Sequence, residues 1–305
     1  WGLDNRLKQF GTMAAAIILY VLISQIGTIF ANNISSQADE AGPVIYQNAW
    51  LLLQLPYGVI GVTLLTAIMP RLSRNAAADD TPAVVDDLSA ATRLTMIALI
   101  PIVTFLTLAG PQVGDALFGY ARFAEDGSRL GTAVSWSAFT LIPYSLVLIH
   151  LRVFYAREQA WTPTWIILGI TAVKIVFSAL APFVASSSDQ VVIVLGVATG
   201  LGFTTGAFIG GYLLHRSLGD LRMANVGRTV SRVVMSSVAG GVVMLIVDRL
   251  LGLPGLSESL GGVGSLLRVG ITALVMFGVA FGLMRLVGVP EIVAITVAIS
   301  RRLGL

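Results

Sequence analysis

Eight runs of roughly twenty or more residues with almost no charge dominate this chain: 11 to 31, 43 to 70, 94 to 118, 133 to 155, 163 to 184, 190 to 214, 230 to 251 and 267 to 287. An α-helix rises about 1.5 Å per residue, so about 20 apolar residues cross a hydrocarbon layer about 30 Å thick, and each run meets that length. In lipid every backbone N–H and C=O must be bonded within the protein, which leaves helices and closed barrels as spanning structures. Barrel strands alternate apolar and polar residues over about ten positions, and these runs do not. Charged residues are 11% of the chain, against about a quarter in soluble domains. The expectation is an all-α polytopic membrane protein with about eight transmembrane helices.

The segments between the runs sort by charge. Placing the termini and every second loop on one side gathers Arg6, Lys8, Arg71, Arg74, Arg93, Arg152, Arg157, Arg216, Arg222, Arg228, Arg232, Arg285, Arg301 and Arg302 there, fourteen of the nineteen basic residues. The other side holds Arg122, Arg129, Arg249 and Arg268 with Asp39, Glu40, Glu125, Asp126, Asp189 and Glu258. By the positive-inside rule both termini are cytoplasmic. Such a basic edge suits anionic lipid headgroups, so the pI of about 9.4 implies no nucleic-acid partner. Without cysteine the chain has no disulfide or thiolate chemistry. The opening WGLDNRLKQFG lacks the order of a signal peptide, and residues 1 to 10 read as an amphipathic cytoplasmic lead-in cut from a longer chain.

Residues 75 to 92 read as the longest polar connection on the cytoplasmic side. Paired aspartates at Asp79, Asp80, Asp86 and Asp87 are of a type that binds metals, but Asp86 and Asp87 stand just before a helix, whose positive end favours acids. No metal site is assigned. Glycines at four-residue spacing, Gly196 with Gly200, Gly202 with Gly206 and Gly210, and Gly278 with Gly282, predict close helix contacts. After Pro290 the tail PEIVAITVAISRRLGL is too short to span again and is expected to lie along the inner surface.

Lys174 is the sharpest anomaly, a charge near the middle of its span. A charge there costs about 2.5 to 3.5 kcal/mol on insertion scales, so it is expected to face a polar interior. No acidic residue stands near mid-span elsewhere, which leaves carbonyls, water, an anionic substrate or the hydroxyls of Ser24, Thr28, Thr171, Ser178, Thr199 and Thr204 as partners. His150, Arg152 and Arg157 end the fourth span. A guanidinium there is placed to bind a lipid phosphate in two-point fashion or to act as a plain anchor, and His150 reads as a hydrogen-bonded bystander. Pro56, Pro101 and Pro143 fall inside spans and Gly110 with Pro111 is expected to break the third; such broken helices around an interior charge are typical of transporters. No HExxH, GK[ST] phosphate loop or GxSxG is present, so no catalytic residue and no enzyme is expected.

Four stretches resemble the MurJ/MviN family of bacterial lipid II flippases. LPYGVIGVTLLTAIMPRLSR, from Leu55 to Arg74, is similar to the family's (F/L)P-x-G-(V/I)-x-G-(V/I) start and (L/M)P-x-L-S-(R/K) finish. SQIGTIFAN resembles the polar first helix of the family's second half, ALFGYARF the LF-x-x-G-x-F exit of the third span here, and FYAREQAWTP the pattern FY(A/S)R-x-x-x-x-TP. The resemblance runs over essentially the whole chain, as the C-terminal portion of an actinobacterial-type member. It implies a six-helix lobe of the multidrug/oligosaccharidyl-lipid/polysaccharide exporter fold over 11–214, two additional helices over 215–289 that form a lipid-tail groove, and an interfacial tail over 290–305. Its expected partner is the N-terminal six-helix lobe of the same transporter.

The resemblance also implies an activity: moving lipid II, a polyprenyl diphosphate carrying a disaccharide pentapeptide, from the inner to the outer leaflet of the plasma membrane by alternating access. Membrane potential or a gradient of sodium or protons would drive it, and no cofactor is implied. Relatives carry an arginine five residues and a glutamate two residues before the mid-span proline, where this chain has Leu51 and Gln54; Ala121 replaces a usual glycine. Some relatives bind sodium between the first, fifth and sixth helices of this lobe. Aligned through Thr162 and Pro163, Lys174 and Ser178 fall at or near that site, and the expectation is that the Lys174 ammonium replaces the ion. Substrate or cavity candidates are thus Lys174, Gln54, Ser24, Gln25 and Arg152. The ion-site equivalents are Lys174, Ser178, Thr28 and Thr199, and the hinge is Pro56, Gly58 and Gly61. Alternatives are a scaffold recruiting cell-wall enzymes or cytoplasmic regulatory proteins, and an exporter of another polyprenyl-linked oligosaccharide or a drug.

Overall fold

The apolar runs become helices, and each helix starts before its run does. The computed structural model describes residues 5–119 and 124–303, and no strand occurs among them. Residues 1–4 of the lead-in, 120–123 of the ALFGYARF stretch with Ala121 and Arg122, and 304–305 lie outside the described residues. In chain order come α1 (Asn5–Ala38), α2 (Gly42–Pro56), a π-helical turn (Tyr57–Gly61), α3 (Val62–Ala77), α4 (Thr81–Phe118) and α5 (Ala124–Ser137). A short 3₁₀ turn (Ala138–Thr140) leads into α6 (Leu141–Ala156), followed by α7 (Trp161–Val184), α8 (Ser188–Leu218), α9 (Met223–Leu250), α10 (Pro254–Leu286) and α11 (Pro290–Leu303). Among the described residues seven helices, with α5 and α6 joined as one, are long and apolar enough to cross a membrane, and α2 with α3, bent by 64°, adds an eighth when the pair is taken as one span. The protein is an all-α, multi-pass membrane protein.

α4 is the central post, packed against α3, α5, α6, α9 and α10, while α1 lies on α7, α7 on α8 and α8 on α6. Leu53, Leu99, Leu141, Phe154, Ile166, Leu195 and Leu214 are buried in the core between the second to sixth spans. A second cluster joins Met96, Ile97 and Ile100 of α4 to Val233, Ala280, Met284 and Ile292 of α9, α10 and α11. Lipid tails are as apolar as leucine, so helices associate in the membrane through close packing rather than expulsion of water, and small residues mark the contacts.

The glycine pattern is right on α8 and misplaced on α10. A Cβ on Gly202 would stand 2.8 Å from the Ile170 carbonyl oxygen, and Gly210 lies as close to the His150 ring. Gly278 and Gly282, expected at a contact, face open space. The α9–α10 seam runs instead through Gly240, whose Cβ would come 2.8 Å from the Met276 carbonyl oxygen, because that is the face α9 turns to its neighbour.

The expectations for Gly110 with Pro111 and for the stretch 75 to 92 are also corrected. Gly110 and Pro111 do not break the third span, since α4 continues through both, and Gly110 and Gly114 are where α5 comes closest. Pro143 does lie inside the joined α5–α6 span, and the 3₁₀ turn at Ala138–Thr140 interrupts the α-helix just before it. The polar stretch 75 to 92 is mostly helix: α3 continues to Ala77 and α4 starts at Thr81, with the Asp80 carboxylate accepting from the Ala83 N–H as an N-cap. Asp86 and Asp87 therefore lie inside α4 rather than before it, and ion pairs occupy them, Asp87 with Arg71 at 2.5 Å and Asp86 with Arg222.

The ends of the bundle are tied by charge. Arg157 reaches Asp79 at 3.7 Å and Arg93 reaches Glu291 at 2.9 Å at the end that carries the termini. At the opposite end Arg129 gathers three carboxylates, Asp39 at 2.5 Å, Asp189 at 2.6 Å and Asp126 at 3.2 Å. This node binds the α1–α2 turn, α5 and the start of α8 together, and Arg129 holds the Asp39 carboxyl below its usual range.

Candidate functional site

Five helices leave a cavity of about 480 Å³ between them. α1 supplies Tyr20, Ser24, Gln25 and Thr28, α2 supplies Tyr46, Gln47, Trp50, Leu51 and Gln54, and α6, α7 and α8 contribute Tyr144, Lys174, Thr199 and Phe203 among others. Eight residues singled out in the sequence, Lys174, Gln54, Leu51, Ser24, Gln25, Thr28, Thr171 and Thr199, line this one space.

Lys174 enters it through gaps left by two glycines. A Cβ on Gly27 of α1 would stand 3.5 Å from Lys174 Cδ, and one on Gly202 of α8 would stand 3.4 Å from Lys174 Cβ, so the stem is sandwiched and the ammonium projects beyond it. Nζ lies 5.8 Å from the centroid of the Tyr46 ring, a cation–π distance. No carboxylate lines the cavity, and no ion pair to Lys174 occurs among the described residues. Nor do the expected hydroxyls bond it. Thr28 donates to the Ser24 carbonyl at 3.2 Å, Thr199 to Leu195 at 3.0 Å and Ser24 to Val21 at 2.7 Å, each turned back onto its own helix. Thr199 Oγ1 also meets the Tyr46 hydroxyl at 3.0 Å, which fixes the ring beneath the ammonium.

Sequence reasoning missed the aromatic wall. Trp50 and Phe203 stack with ring planes 8° apart at 5.9 Å, and Tyr144 stands edge-on to both at 5.3 and 5.0 Å. These rings come from α2, α6 and α8, and no spacing in the chain links them. The wall continues to Tyr57, whose ring is 5.1 Å from Tyr144 and packs beside Gly61 at the π turn.

Other candidates stand apart. Arg152 is exposed on α6 and lines no part of this cavity. Ser178, one turn beyond Lys174, is fully buried with its hydroxyl unpartnered, outside the lining. Gly58 has open space around it rather than a packing neighbour, because the bend at Pro56 swings the next turn outward. His150, expected to be hydrogen-bonded, is buried with Nδ1 unpartnered beside a separate apolar cavity of about 550 Å³ between α4, α6, α8 and α9.

The family model described as lipid II flippase MurJ matches residues 1–272. The chain belongs to the MurJ family. A probable lipid II flippase MurJ of Thermotoga maritima is 24% identical over 243 residues, covering 79% of this chain and 47% of the relative. A lipid II flippase MurJ of Burkholderia cenocepacia is 25% identical over 154 residues, covering 50% of this chain and 30% of that one. A solved structure of the lipid II flippase MurJ in an inward closed conformation superposes with a TM-score of 0.64 at 16% identity, over 85% of this chain and 52% of that chain. At that identity the likeness to the solved structure establishes the MurJ fold alone. The chain spans about half the length or less of the curated MurJ relatives described here.

Proposed function

We propose that this chain is part of a lipid II flippase, a transporter that moves a polyprenyl-diphosphate-linked peptidoglycan precursor from the inner to the outer leaflet. The observation that carries the reading is Lys174, an ammonium with no carboxylate partner in a cavity walled by aromatic rings and amides. A diphosphate supplies the missing counter-charge. The faces of Trp50 and Phe203 suit the apolar faces of sugar rings, and Gln25, Gln47 and Gln54 offer paired donors and acceptors to hydroxyl and amide groups.

Movement follows from alternating access, in which a second lobe rocks against this one. The π turn after Pro56 and the open space at Gly58 favour a hinge between α2 and α3, while the Arg129 node holds the far ends of α1, α5 and α8 as one block. The exposed apolar side chains of α9 and α10, among them Val242, Ile246, Leu267 and Leu274, suit a polyprenyl tail. The basic end, with both termini, faces the cytoplasm. A sodium ion does not fit the equivalent positions here: a fixed ammonium stands among them, no carboxylate is present, and the Ser178 hydroxyl is buried outside the cavity. Coupling to sodium is therefore not part of the proposal.

The test is binding by the intact protein in lipid nanodiscs, comparing lipid II and undecaprenyl diphosphate with uncharged polyprenol. A hydrogen bond to a charged group contributes about 1.5 to 3 kcal/mol, so the diphosphate lipids should bind about tenfold or more tighter, with the preference lost in Lys174→Ala. Equal affinity for all three would favour the scaffold reading.

A further inference from the structure

We propose that the corner where α4, α9 and α11 meet binds the phosphodiester headgroup of an anionic membrane phospholipid. A cavity of about 210 Å³ there is bounded by Arg93 of α4, Arg228 and Arg232 of α9, and Glu291 of α11, with Asn225 and Thr229 adding donors. Three guanidiniums against one carboxylate leave a net charge of +2, which suits a headgroup of one or two negative charges. Two of the arginines are braced by the protein: Arg93 pairs with Glu291 at 2.9 Å, and Arg232 donates to the Gly288 carbonyl at 2.9 Å. The third is free. Arg228 is exposed, and its guanidinium makes no hydrogen bond or ion pair among the described residues.

The helix that carries the charge also dictates the ligand. Continuing along α9 from Arg228 and Arg232 at four- and three-residue steps, Met235, Val242 and Ile246 share one face and are 64%, 50% and 50% exposed. A cationic end followed by an apolar stripe is the profile of a phospholipid, headgroup at the interface and acyl chain along the helix. A free phosphate has no use for the stripe. α11 seals the other side: Val289 and Ile292 are buried at its start, while Ile295 and Ile299 are exposed and add apolar surface. Basic pockets between helices near a cytoplasmic surface are the recurrent form of such sites.

The experiment is native mass spectrometry of the full chain released from nanodiscs holding equal phosphatidylglycerol and phosphatidylcholine of matched acyl chains, with soluble glycerol phosphate as a competitor. Phosphatidylglycerol should be retained preferentially and resist the competitor. An arginine in direct contact with the bound headgroup contributes about fivefold, so Arg228→Gln/Arg232→Gln should lower retention about twenty-fivefold, whereas Arg74→Gln, an exposed basic residue outside this pocket, should leave it unchanged. Arg228→Gln breaks no bond in the protein and should cost about fivefold, which keeps the test open if the double variant does not fold. Equal retention of the two lipids, unchanged retention in folded Arg228→Gln, or displacement by glycerol phosphate would overturn the proposal.

Discussion

A lysine at mid-helix has to recover the cost of leaving water, and Lys174 does so only in part. Its ammonium has the Tyr46 ring at 5.8 Å, a contact that contributes about 2 kcal/mol or more when desolvated, but no anion. In the proposed function, a diphosphate relieves that residual cost. Arg268 shows the contrasting case. It forms two bonds to Asp248, at 2.8 and 2.6 Å, joining α9 to α10, and both side chains are largely buried. Asp248→Ala should therefore destabilise by about 3 kcal/mol by leaving the guanidinium unpaired, while Asp248→Leu with Arg268→Met should be close to neutral. Thermal unfolding in detergent distinguishes the two. Outside the spans, partly exposed Asp39 has its carboxyl held below the usual 3.8 by Arg129. A lowered pKa gives stability that is present above 3.8 and lost as pH falls through the lowered value. Carbon-13 titration of Asp39 should show a midpoint below 3.8 that rises in Arg129→Gln; an unchanged midpoint would remove Arg129 as the cause.

Between helices, contact depends on which face of each is turned inward, and this limits what the chain reveals. The spans were legible because twenty apolar residues admit one structure in lipid, and the kink because Pro56 removes a backbone donor. Lys174 was legible as a charge with nothing near it to neutralise it. Its neighbours were not, since Tyr46, Trp50, Tyr144 and Phe203 meet only after three helices have packed. Gly278 and Gly282 have the same spacing as the α8 glycines yet face outward, and only the rotation of α10 decides that. The difference can be measured. Gly240→Val should cost about 1 to 3 kcal/mol by pushing a side chain into the Met276 backbone, whereas Gly278→Ala should be neutral or stabilising by up to about 1 kcal/mol through helix propensity. Thermal midpoints of the two variants check the seam.

The whole chain presents two differently tied ends and a cavity between them. At the end that carries the termini the pairs Arg71–Asp87, Arg93–Glu291 and Arg157–Asp79 are spread around the rim, while at the other end Arg129 concentrates three carboxylates on one side chain. The proposed alternating access would have to open these two differently tied ends in turn. Membership of the MurJ family, the uncompensated Lys174 and the aromatic wall support the central proposal, that the cavity grips a diphosphate-linked sugar through a fixed cation in place of a sodium ion. The direct measurement is translocation of labelled lipid II by the intact protein in sodium-free vesicles. Wild-type protein should translocate it, and Lys174→Ala should be slower by about tenfold or more, with Lys174→Arg failing to restore the rate because the guanidinium does not fit the gap between Gly27 and Gly202. Full activity of Lys174→Ala, or a strict requirement for sodium in the wild type, would contradict it.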